Sequence, residues 1–109
     1  MCGRYTLTAS NKPDLAHLNL DIPDRYNIAP QADVLVKTDQ AEFTVMSWSF
    51  SPAWAKTPMN LFNARAETLT EKPSFKGAQR CVFIADGWYE WERAVSPSRP
   101  WYHHADGEL

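Results

Sequence analysis

VLVKTDQAEFTVMSWSF, residues 34–50, decides the fold. Val34-Leu35-Val36-Lys37-Thr38 reads as a short strand and residues 42–50 as a second, longer one. Asp39-Gln40 supplies a polar turn between them. Strands joined so briefly run antiparallel, since parallel neighbours need a crossover of a dozen residues or more. Upstream, residues 4–8 (RYTLT) alternate as a strand does. Ser10 or Asn11 then caps a short helix, with Pro13 in its first turn and Leu15, Ala16 and Leu18 as apolar contacts. Residues 21–31 (DIPDRYNIAPQ) carry two prolines and read as loop. Downstream, residues 51–68 (SPAWAKTPMNLFNARAET) are interrupted by Pro52 and Pro58 and form a long loop, of a length that usually has a function. Residues 81–86 (CVFIAD) are a continuous apolar run and read as a buried strand. After Gly87, WYEWE continues extended, residues 94–100 make a hairpin tip, and WYHH opens a further strand ending in the turn signal ADG. The expectation is an α+β fold of mostly antiparallel strands in a barrel-like arrangement with few short helices.

The 109 residues suit one small domain, and five Trp, five Phe and four Tyr supply large apolar side chains for a core. A net charge of −2 gives no overall attraction to nucleic acid or anionic membranes, so any DNA affinity must come from a local arginine patch. No run of 18 apolar residues occurs, and the start lacks a charged segment followed by an apolar one. Neither a membrane span nor a secretion signal is expected. Cys2 and Cys81 form no CxxC pattern and are expected as reduced thiols in the cytoplasm.

Cys2 stands directly behind Met1, in MCGRYTLT. It is either a small apolar residue near a chain end or, once Met1 is removed, the first residue, carrying an amine and a thiol on adjacent carbons. An α-amine titrates at about 7.7–8.0 and a thiol near 8.5, so both are partly available at neutral pH. With an aldehyde the amine forms a Schiff base, and the thiol closes a five-membered thiazolidine ring. Glu90, in DGWYEW, shares a strand face with Trp88, while Tyr89 and Trp91 share the other. A carboxylate among aromatic rings loses hydration, which suits it to proton transfer. It reads alternatively as an exposed strand glutamate. Asp86 competes for that role, but Asp before Gly commonly shapes a turn. NARAET places Asn63, Arg65 and Glu67 in extended alternation; Asn63 can position a polar ligand and Arg65 can pair with phosphate. Trp54 is either a core tryptophan or a stacking platform for a base, and Pro30 either a rigid loop residue or a wedge beside bent nucleic acid. His103 and His104 are strand neighbours facing opposite ways, so they do not share a metal, and with His17 in a helical stretch no metal site is expected. Four glycines form no phosphate-binding loop.

MCGRYTLT, YNIAPQ, WSFSPAWA, NARAET and DGWYEW, in this order, resemble the SOS-response-associated peptidase (SRAP) family of abasic-site-shielding proteins. The resemblance covers nearly the whole chain. It implies binding to single-stranded DNA that contains an abasic site. The processed Cys2 would form a thiazolidine crosslink with the ring-opened sugar and shield the lesion. By the same resemblance Glu90 is the general acid/base for opening of the sugar ring and formation of the Schiff base, Asn63 orients the sugar or the terminal amine, and Arg4 and Arg65 hold phosphates. Pro30 and Trp54 shape the strand or stack on it. It further implies an autopeptidase activity that exposes the cysteine, no cofactor, and a monomer in the cytoplasm, at the nucleoid after damage or in the nucleus of a eukaryote. The family's His-x-Arg-Met-Pro-like segment has no counterpart here, so residues 1–109 are expected to be the N-terminal portion of a single SRAP-like domain. Two other classes fit parts of the pattern. One is a noncatalytic DNA-binding remnant. The other is an N-terminal-nucleophile glutamine amidotransferase, whose Met-Cys-Gly start is shared but whose glutamine-pocket motifs are not found.

Overall fold

A computed structural model describes residues 2–106. Met1, whose removal the aminothiol chemistry requires, and Gly107 of the expected terminal turn lie outside the described residues. The strands are β1 (Arg4–Leu7), β2 (Arg25–Ile28), β3 (Asp33–Thr38), β4 (Phe43–Ser47), β5 (Cys81–Phe83), β6 (Gly87–Glu92) and β7 (Arg99–His104). One short helix, α1 (Pro13–Ala16), and 3-10 turns at Ala9–Asn11 and Ala66–Thr68 complete the described elements. All pairings are antiparallel. The α+β class is therefore observed, but the strands make two open sheets, ordered β2-β1-β6-β7 and β4-β3-β5, and neither closes into a barrel.

The chain folds as two compact units. Among the described residues the first comprises 2–29 and 84–106, and the second, residues 30–83, interrupts it in sequence. In the first, Tyr5, Leu7, Leu15 and Ile28 are buried. β1 supplies two of these because its alternate residues turn to one side, while Thr6 on the other side is also buried, at 3% exposure. In the second unit the core is Val34, Leu35 and Val36 with Trp48. β3 is the central strand of its sheet, and burial of its consecutive residues Val34, Leu35 and Val36 means that both of its faces are covered.

The hairpin at 34–50 forms as its pattern predicts. Lys37 pairs with Phe43 and Asp33 with Ser47, and the turn closes through Thr38 N–H to the Glu42 carbonyl at 2.9 Å. β3, at six residues, is the longer partner. β4 stops at Ser47 because Trp48 leaves the ladder: its backbone bonds Ala32 and Gln31, and its indole N–H donates to the Phe62 carbonyl at 2.9 Å.

Four local expectations are corrected. Within the expected loop 21–31, residues 25–28 form β2, since Tyr5 and Leu7 offer an open edge opposite Ile28 and Arg25. The cap position of α1 falls neither on Ser10 nor on Asn11, which both lie in the preceding 3-10 turn. Lys12 occupies the cap position without a side-chain bond, because the Ser10 N–H and hydroxyl both donate to Asp24. β5 is exposed throughout rather than buried, for it is an edge strand paired only with β3 among the described residues. In NARAET the backbone of Arg65 is extended, but Glu67 lies in the 3-10 turn, so it does not continue an alternation with Asn63 and Arg65.

The β6–β7 hairpin begins at Gly87, where a close approach requires the missing side chain. A Cβ there would lie 2.0 Å from the Tyr102 hydroxyl oxygen. That hydroxyl sits 2.7 Å from Thr6 Oγ1, so Tyr102 lies over Gly87 and reaches across to β1. Gly87→Ala is expected to expel the Tyr102 ring and to cost on the order of 2 kcal/mol, read as a lowered urea midpoint with unchanged slope.

Candidate active site

Cys2 enters β1 from its N-terminal side and is half-buried. Its Sγ donates to the Arg4 carbonyl at 3.4 Å. Next to β1 runs β6, with Arg4 opposite Tyr89, Tyr5 opposite Trp88 and Thr6 opposite Gly87. This register carries Glu90, one residue past Tyr89, to the end of the ladder at which Cys2 stands. The electrostatics agree. Burial pushes the Cys2 thiol above its ordinary value, a backbone interaction with Arg4 opposes this, and the Glu90 carboxylate raises it further. The two groups therefore sense each other's charge.

Glu90 lies on the face of the hairpin that the alternation assigns to it. Trp88 stacks on His103 at 5.3 Å between ring centroids, and Glu90 pairs in register with Trp101. Its other neighbours on this face include Glu92, which accepts from the Trp101 indole at 3.0 Å. Glu90 is half-buried, not the exposed strand glutamate of the alternative reading. On the opposite face Tyr89 packs against Tyr102, and Tyr102 stacks on His104. His103 and His104 thus serve separate aromatic clusters, as their adjacency in a strand dictates.

Tyr5 is a neighbour that the sequence did not single out. Its phenol is pushed up to about 12, first by burial; the positive charge of Arg25 lowers it and Cys2 raises it. At neutral pH it is a neutral hydroxyl in the field of both Arg25 and Cys2. Arg4, expected to hold a phosphate, is half-buried and folds back to donate to the Gly3 carbonyl at 2.8 Å.

Asp86 is the second residue that sequence alone undervalued. Rather than shaping a turn only, its carboxylate accepts from the Thr6 hydroxyl, the Thr8 hydroxyl and the Thr8 N–H, the last at 2.8 Å, and faces the Lys12 ammonium at 3.7 Å. Its side chain is 10% exposed. Burial disfavours its charge, but the bonds from Thr6 and Thr8 and the charge of Lys12 prevail and hold it below the usual carboxylate range. The sequence separation of 80 residues between Thr6 and Asp86 leaves no local signal for this cluster. A depressed carboxyl stabilises the fold above its unfolded value, near 3.9, and that contribution is lost as pH falls through the folded value. Asp86→Asn is expected to cost about 2 kcal/mol at pH 7, with the difference shrinking below pH 4 in urea melts.

Pro30, Trp54, Asn63 and Arg65 belong to the second unit, and Cys2, Arg4 and Glu90 to the first. Pro30 is half-buried and opens a turn in which Gln31 adopts φ 72°. Trp54 is 62% exposed, so it is not a core tryptophan; Trp48, at 5%, takes that place. Asn63 is half-buried and Arg65 exposed, the latter with extended backbone (φ −81°, ψ 127°) at the start of the 3-10 turn. No helix among the described residues is long and apolar enough to cross a membrane.

Comparisons with known proteins point one way. The SOS response associated peptidase (SRAP) family matches residues 1–109. The chain is 36% identical over 109 residues to the abasic site processing protein YoqW of Bacillus subtilis, covering 85% of this chain and 49% of that one. It is 33% identical over 125 residues to the abasic site processing protein YedK of Escherichia coli, covering 99% and 56%. The crystal structure of a phage-related protein from Bordetella bronchiseptica superposes with a TM-score of 0.72 at 30% identity, over 96% of this chain and 56% of that one. The chain spans about half the length of these curated relatives. With a match along its whole length and a shared fold, the chain belongs to the SOS response associated peptidase family.

Proposed function

We propose that this chain, once Met1 is removed, captures abasic sites in single-stranded DNA by forming a thiazolidine crosslink through Cys2. The observation that carries the reading is the half-buried Cys2 thiol within the field of Glu90, at one end of the β1–β6 ladder, in a family whose relatives are named abasic site processing proteins. The chemistry needs three steps. The α-amine of Cys2 adds to the sugar aldehyde and water leaves, giving an imine. The Cys2 sulfur then attacks the imine carbon. The thiol proton passes out through Glu90 and the imine nitrogen takes one up, so the ring closes with no external reagent.

A thiol raised by burial holds few thiolates at neutral pH, so a nearby base that takes the proton during attack has most to contribute there. The remaining roles follow the family resemblance. Arg4 in the first unit and Arg65 in the second hold phosphates, Asn63 orients the sugar or the amine, and Pro30 and the exposed Trp54 shape the strand or stack on a base. Arginine contacts to phosphate supply local attraction that a net charge of −2 does not. Autopeptidase activity that exposes the cysteine belongs to the same family reading, although ordinary methionine removal suffices to take off Met1.

The test is incubation of the processed chain with single-stranded DNA holding one abasic site, followed by denaturing electrophoresis. A slow-migrating adduct is expected, formed faster as pH rises through the α-amine range of about 7.7–8.0. Salt-sensitive, reversible binding with no adduct favours a noncatalytic DNA-binding protein. Glutaminase activity without an adduct favours an amidotransferase.

A further inference from the structure

The pairing of β1 with β6 in one register carries Glu90 to the end of the ladder at which Cys2 stands, and that ladder is short, with three registered pairs. Backbone bonds alone do not select among registers. A slip of one residue, about 3.3 Å, turns every side chain to the opposite face. Burial of Tyr5 and Leu7 opposes such a slip, since both would turn outward. A slip of two residues keeps the faces, and core burial alone does not oppose it. What opposes it is the fit at the other end of the ladder. There the Asp86 N–H bonds the Thr6 carbonyl at 3.0 Å, and the Asp86 carboxylate grips the hydroxyls of Thr6 and Thr8. Tyr102 reaches Thr6 at 2.7 Å across Gly87, where only glycine leaves room. Lys12 balances the buried carboxylate.

We propose that Asp86 is a positioning residue: by gripping Thr6 and Thr8 it locks the β1–β6 register that brings Cys2 to Glu90. This rests on the reading of Cys2 and Glu90 as the reacting pair. Asp86 touches neither residue and takes no part in the bond changes; it sets where they occur. Its charged form is needed, because two hydroxyls and an N–H donate to it at once and a single amide oxygen does not replace both carboxylate oxygens.

The experiment uses the full chain in a Cys81→Ser background, so that Cys2 is the only thiol. Iodoacetamide alkylation at fixed pH reports the thiolate fraction. Glu90→Gln is expected to speed alkylation by about threefold, by removing the charge that holds the thiol protonated. Asp86→Ala is expected to speed it similarly, and the double variant no further than either single one, because both remove the same interaction. Circular dichroism verifies that each variant is folded; Thr8→Ala takes the place of Asp86→Ala if the latter is not. The proposal is overturned if folded Asp86→Ala leaves alkylation unchanged, or if its effect multiplies in full with that of Glu90→Gln, as greater access alone would give. In the adduct assay, Asp86→Ala is expected to lower the rate at saturating DNA about tenfold while half-saturation stays within about twofold. Absence of any adduct with the parent chain overturns the crosslinking reading and leaves the alkylation cycle to decide the role of Asp86.

Discussion

Cys2→Ala is expected to abolish the proposed denaturation-resistant adduct, and retention of Met1 to abolish it equally. These are the largest effects expected for this chain, and they fail for different reasons. In Cys2→Ala the processed chain still presents an α-amine, so the imine with the sugar aldehyde still forms. Without the sulfur no ring closes, and the imine hydrolyses when the protein is denatured. Borohydride added before denaturation should therefore trap a covalent product from Cys2→Ala. With Met1 retained, the Cys2 nitrogen is an amide and the thiol has no adjacent amine with which to close a ring. Borohydride then traps at most a product through the Met1 amine, and no thiazolidine forms. Reversible binding to the same DNA should stay within about twofold in both cases, since neither change touches an arginine. A stable adduct of undiminished yield in Cys2→Ala rules out the aminothiol mechanism.

Glu90→Gln has the second-largest effect, an expected slowing of about a hundredfold in adduct formation at saturating DNA. Glutamine has nearly the same shape, and can still pair opposite Trp101 in the β6–β7 hairpin, but it carries no proton between sulfur and nitrogen. The half-saturating DNA concentration should change little, because a proton carrier contributes to the transition state and not to ground-state binding. The thiol itself should ionise more readily in this variant, since the Glu90 charge that raises it is gone. Faster simple alkylation together with slower crosslinking is a combination that loss of folding does not produce. A proportional fall in DNA affinity and rate instead marks Glu90 as structural.

Much of the fold was legible in short segments. The alternation in RYTLT, the hairpin pattern of residues 34–50 and the extended run after Gly87 each became a strand, because a period of two is a local property of side chains on a pleated backbone. The face shared by Trp88 and Glu90 followed from the same rule. The order of MCGRYTLT, YNIAPQ, WSFSPAWA, NARAET and DGWYEW was enough to indicate the family, which the match over residues 1–109 establishes. What short segments do not carry is the identity of a partner. Residues 25–28 became β2 because β1 offered an edge, and the apolar β5 stayed exposed because its place in the sheet is an edge. NARAET passes into a 3-10 turn after Arg65.

The site shows the same division. Sequence named Cys2 and Glu90 by the chemistry their side chains allow, and it placed Asp86 in a turn. Tertiary structure alone set Cys2 within the field of Glu90 and made Asp86 the centre of a buried cluster with Thr6, Thr8 and Lys12. The physical reason is that strand pairing joins residues some 80 positions apart, through backbone bonds that are alike for every sequence. Which register wins is decided by the sum of side-chain fits across the whole ladder, a quantity that no single segment contains.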